Sequence, residues 1–113
     1  MNKTTEYFAD RRFLTPLSHE TDSSIMGFIK YEQSFNNDKQ LTHQDINGSL
    51  SVRDCNSKIT LEFTVYDSSA HREKTLENQR KIKSLKDFID QFYEAYMLAA
   101  EDFEKNSRKL VQN

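Results

Sequence analysis

Three histidines, one cysteine and a short Asp-Ser-Ser segment are the residues of this 113-residue chain whose types could do chemistry. His19, His43 and His71 fall in segments that read as loop, and no two stand four apart. A zinc site needs three or four N, S or O ligands held tetrahedrally, so with Cys55 as the only thiol the spacing points to no metal and no cofactor. Asp67, Ser68, Ser69 and His71 could be drawn as orienting acid, nucleophile and base. A catalytic serine needs a strained turn and an oxyanion hole, usually built with glycines, and the chain has only Gly27 and Gly48. Turn or helix-start chemistry is the simpler reading of Asp67 to Ser69. There is no phosphate-cradling glycine loop and no dinucleotide fingerprint. No catalytic residue is assigned, and enzymatic activity is not expected.

Charge is the next candidate. Over 68–86 six basic residues (Arg72, Lys74, Arg80, Lys81, Lys83, Lys86) stand against two acidic ones, Glu73 and Glu77. Lys and Arg gathered in this way can bind phosphate, which makes Arg72, Lys74, Arg80, Lys81 and Lys83 the possible anion or nucleic-acid contacts. Over 87–104 the balance inverts to six acidic residues and no Lys or Arg. That acidic stretch would repel a nucleic-acid backbone, and no aromatic residue interleaves with the basic ones to stack bases. A solvated segment paired with Glu73, Glu77 or a neighbouring copy is the favoured reading. The whole chain carries a formal charge of -2, too little for general attraction to nucleic acid or anionic membrane.

Chains of this size usually hold a single core. Eight Phe and five Tyr supply bulky material despite 30% charged residues, which argues against disorder. A lone cysteine fits a reducing compartment, no apolar run is long enough to span a bilayer, and the first residues lack the apolar segment of a signal peptide. A cytoplasmic location is expected.

The elements that must position these residues follow from periodicity. In 25–35 a period of two puts Ile25, Gly27, Ile29, Tyr31 and Phe35 on one side and Met26, Phe28, Lys30 and Glu32 on the other. Turn formers fill 36–40. In 45–54 Ile46, Gly48, Leu50 and Val52 alternate with polar residues; Asn47-Gly48 could instead be a hairpin turn, but the alternation runs through the glycine and favours one continuous strand. The third strand, 58–67, alternates Ile59, Leu61, Phe63 and Val65 with Thr60, Glu62, Thr64 and Tyr66 and is the clearest. Residues 54–57 make a tight hairpin loop.

Ile82, Leu85, Phe88, Ile89, Phe92, Tyr96, Ala99, Ala100 and Phe103 then line one face of a helix. Its start is expected near Thr75 or, by a capping-box-like Ser84 and Asp87 and by the dipole's preference for acid at the N-terminus, near Ser84, with its end near 107. If the late start holds, the preceding stretch is a mobile functional loop. Residues 1–24 form an arm. Either Thr4 or Thr5 caps a short helix over Glu6 to Phe13 that Pro16 stops, or the arm is extended and ordered only against the sheet or a second copy. The expected fold is therefore α+β: an N-terminal arm (1–24) and a single domain (25–113) in which a three-stranded antiparallel sheet packs against one long C-terminal helix.

The stripe is wider than three strands can cover. Tyr93 and Met97 lie on its flank and Leu98 points away, a surplus that marks partner binding, to a second identical chain or to another protein. The stretches DCNSKITLEF (54–63) and IKSLKDFIDQFYEAY (82–96), with the small size and the meander-then-helix order, resemble small accessory proteins of phages, prophages and other bacterial mobile elements. That resemblance implies a non-enzymatic protein that works by binding, for instance by blocking a host or rival defence component. It carries over no functional residues. The expected function is a cytoplasmic, homodimeric binding module acting through protein–protein contact, with a nucleic-acid-associated factor using 72–86 as the alternative.

Overall fold

The computed structural model describes residues 1–14 and 23–112. Four strands, β1 (Asn2–Phe13), β2 (Ser23–Phe35), β3 (Leu41–Asp54) and β4 (Ser57–Glu62), precede one helix, α1 (His71–Gln112). The strands form an antiparallel meander in the order β1-β2-β3-β4. Two compact units are present, Met1–Thr75 and Leu76–Asn113. The first holds the sheet and the opening turn of α1; the second is the rest of α1.

The α+β class is as the periodicity indicates, but the sheet has four strands rather than three. Residues 2–13 of the expected arm are strand β1, so the short helix over Glu6 to Phe13 does not form and the extended alternative does. A bulge explains why the alternation was hidden. Pairing with β2 shifts between Glu6 and Phe8, which changes the phase at Tyr7 and lets two adjacent aromatic residues sit in one strand. Pro16, Leu17 and His19 lie outside the described residues.

Register then settles which side chains share a face, because directly opposed residues point the same way. Phe8 lies opposite Ile29 and Arg12 opposite Ile25. Ile25 lies opposite Val52, Gly27 opposite Leu50, Ile29 opposite Gly48 and Tyr31 opposite Ile46. Leu50 pairs with Leu61 and Val52 with Ile59. The alternating sets read from the three strands therefore meet on one apolar side. On the other, Ser51 and Thr60 hydroxyls meet across the strands at 3.1 Å.

β3 is continuous through Asn47-Gly48, without a turn there. Gly48 is needed for another reason: a Cβ on it would lie 3.1 Å from the Phe63 carbonyl oxygen and 3.2 Å from the Phe63 Cβ. That close approach comes where β4 ends. The ladder stops at Glu62 instead of near 67, although Phe63 still donates to the Gly48 carbonyl at 2.8 Å, and Ile46 and Val65 exchange bonds of 2.8 and 2.9 Å in the same register. Phe63 and Val65 are the buried apolar residues among those described.

The turns follow their residue types. The Asn36 side chain accepts from the amides of Asp38 (3.0 Å) and Gln40 (2.9 Å), closing the β2–β3 hairpin. In the two-residue β3–β4 turn Cys55 takes φ 53°, a left-handed conformation that suits glycine. The Ser23 hydroxyl donates to Asp54 beside it.

α1 begins at His71, ahead of both expected starts, so the stretch from 71 to 83 is helix and not loop. At 42 residues it is about 63 Å long. Along it Phe88, Ile89, Phe92, Tyr96 and Phe103 are each at least 60% exposed.

Two substitutions probe the sheet. Gly48→Val should lower stability by about 1–3 kcal/mol through overpacking on the Phe63 backbone, and an unchanged urea midpoint would contradict that contact. Cys55→Gly should raise stability by about 1 kcal/mol by relieving the left-handed backbone, seen as a higher midpoint in the same titration.

Candidate functional site

His71 and Asp67 are brought together in the Met1–Thr75 unit, where they line a cleft of about 110 Å³ with Tyr31, Gln44, Ile46 and Val65. That volume holds a few water molecules and lies below the roughly 300 Å³ at which ligand pockets begin. Its polar groups are engaged in holding the backbone. The Asp67 carboxylate accepts from the Gln44 amide at 3.1 Å, and the Asp67 amide donates to Asp45 at 3.2 Å. His43 contacts Asp45 at 3.0 Å. His71 Nδ1 sits 2.8 Å from the Ser68 carbonyl, and the Ser68 hydroxyl accepts from the Ala70 amide at 3.3 Å. The Asp67–His71 segment thus makes the helix-start bonds its composition suggested, with no serine hydroxyl on the histidine.

The larger feature is on α1. Ile82, Leu85, Ile89, Phe92, Tyr96, Ala99 and Phe103 recur at alternating steps of three and four, the seven-residue repeat whose inner positions form the seam of a coiled coil. On the side away from that seam, Arg80, Asp87, Glu94 and Glu101 recur every seven residues. Apart from the half-buried Leu85, the large members of the seam are open: Ile82 is 46% exposed and Phe103 is 74% exposed. Phe88 and Tyr93 widen it on either edge.

Of the three sequence-assigned partner residues, Tyr93 and Met97 are one turn apart and share a row with Ala100, beside which Met97, Ala100, Glu101, Glu104 and Lys105 line a shallow groove. Leu98 stands on the other shoulder, about 100° from Met97, with the charged ridge between them. All three are exposed.

The basic residues are all helical. Arg72 and Lys74 belong to the first turn of α1. Arg80 and Lys83 are three apart with Lys86 next in the row, whereas Lys81 lies about 100° from Arg80. Lys86 donates to Asp90 at 3.0 Å, an i,i+4 pair in which that hydrogen bond and the carboxylate's charge raise the ammonium above its ordinary value. The basic set is therefore spread around the rod instead of forming one phosphate-tracking face. Among the described residues no cluster of three or more metal-ligating groups is formed.

Two features escaped periodicity reasoning. The alternation of three and four was available from counting but was read as a broad stripe. Asn78, four residues before Ile82 and so in phase with the seam, is the buried residue of α1 among those described, at 5% exposure. Its amide nitrogen and oxygen have no hydrogen-bond partner there. No family model, curated protein or solved structure matches this chain.

A buried amide without partners loses its hydration uncompensated. Asn78→Leu should accordingly raise stability by about 1 kcal/mol or more. A lower thermal midpoint in the full chain would show that the amide is satisfied after all.

Proposed function

We propose that the protein is a small binding module with no reaction of its own, in the manner of a phage or mobile-element accessory or inhibitor protein, and that α1 is its contact surface. The observation that carries this reading is the continuous apolar seam from Ile82 to Phe103, exposed at all its large members but Leu85, with its flanking row Tyr93 and Met97. Apolar surface on this scale in a chain with 30% charged residues marks a place where another molecule sits. Aromatic residues and methionine are the types that interfaces favour. Met97 and Leu98, outside the seam, are the contacts for a protein partner. A cytoplasmic setting agrees with the lone, exposed Cys55. No helix among the described residues is long and apolar enough to cross a membrane.

The test is capture of a partner from native extract by the wild-type chain and by M97D/L98D. Exposed positions on a helix tolerate Asp, so circular dichroism should be unchanged while partner recovery falls by about tenfold or more. Equal recovery would overturn the assignment of this surface. Recovery of nucleic acid instead, lost on Lys81→Glu with Lys83→Glu and falling steeply with salt, would favour the alternative use of Arg72, Lys74, Arg80, Lys81 and Lys83.

A further inference from the structure

We infer that the occupant of the α1 seam is the same seam of a second copy of this chain, running antiparallel. The inference rests on the reading of α1 as a contact surface and names what covers its inner positions. Seven consecutive apolar inner positions over three heptads, with charges at every outermost position from Arg80 to Glu101, match a helix that pairs with another helix. Charge chooses the direction. The basic residues of the seam's first half (Lys81, Lys83, Lys86) and the acidic ones of its last (Glu101, Asp102, Glu104) lie at opposite ends of the same rod.

A parallel partner would place lysine beside lysine and carboxylate beside carboxylate along the whole contact. An antiparallel partner brings the basic end, Arg80 and Lys81, level with the partner's Glu101 and Asp102, so at both ends of the contact a single chain is complementary to itself. One register also keeps the seam in step. Ile89 lies opposite the partner's Phe92, Leu85 opposite the partner's Tyr96 and Ile82 opposite the partner's Ala99. Lys81, which edges the seam, is then level to within a turn with the partner's Asp102. Aromatic residues meet aliphatic ones at two of these three levels, and the largest rings do not stack against their own copies.

The remaining positions fit this arrangement. Met97 and Leu98 stay on the outer shoulders, so a dimer through the seam leaves the proposed partner contacts available. Lys86 and Asp90, paired within one helix at 3.0 Å, lie on an exposed flank, with side chains 74% and 61% exposed.

The experiment uses the full chain with Cys55→Ser as background and nitroxide labels on Gln91→Cys or Lys105→Cys. Sedimentation should first give the mass of two chains. In the proposed register residue 91 is almost level with its own copy, so its labels should lie within about 25 Å. Residue 105 is level with the partner's Leu76, 29 residues away, so those labels should be about 45 Å apart at 1.5 Å per residue. A short distance at 105 would establish a parallel pair and overturn the inference. So would a mass of one chain, or of any number other than two.

Charge gives a second arm: Lys81→Glu should weaken association severalfold, and adding Asp102→Lys to the same chain should restore it. I89D/F92D should yield single chains, whereas M97D/L98D should remain a dimer that has lost its protein partner. Failure of self-pairing and failure of the binding-module reading are thus separately visible.

Discussion

Among the bulky apolar side chains described, only Phe63 and Val65 are nine-tenths or more withdrawn from water, and the rest of the structure answers to that shortage. A single sheet layer shields neither of its faces; the usual solution is a second layer over the apolar one. Hydrophobic burial is the main favourable term in folding, so apolar material left open at this level is a force for association.

Within the sheet, the little burial available is concentrated where β3 and the chain after β4 come closest. Gly48 leaves room for the Phe63 backbone, whose carbonyl oxygen lies 3.1 Å from where a Cβ would stand. The next pair along, Ile46 and Val65, restores the ladder with two backbone bonds. Asp45 and Asp67 then fasten the exit from the sheet by carboxylate-to-amide bonds at 3.1 and 3.2 Å. Residues that could be drawn as catalytic on spacing alone are therefore employed in holding the start of α1.

Much of this was legible in the residues. The alternations in 25–35, 45–54 and 58–67 placed Ile25, Ile29, Leu50, Val52, Leu61 and Phe63 on one face, and the register puts them there. β1 was not legible because the bulge at Tyr7 breaks the period and because an edge strand with a charged sequence has little alternation to offer. The start of α1 was misjudged because the macrodipole favours acid at Asp87 by only about 1 kcal/mol at an exposed site. That is too little to end a helix whose upstream turns already form their own backbone bonds. Periods of 3.5 and 3.6 are hard to separate over about six turns, yet the first is the mark of a partner helix and the second of a sheet or core.

The charge gradient along α1 links the binding readings. For nucleic acid to be held by 72–86, those lysines and arginines must face phosphate without carboxylates nearby. In the inferred antiparallel pair the basic segment lies level with the partner's Glu101, Asp102 and Glu104, which would neutralise part of the same charge and add carboxylates to the neighbourhood. The two uses of the basic segment therefore exclude one another on electrostatic grounds. In the inferred helix pair the gradient would set direction and disfavour the parallel alternative. In nucleic-acid binding it would only oppose the contact. Residues 87–104, with no lysine or arginine among six acids, are what tip the comparison toward helix-to-helix contact.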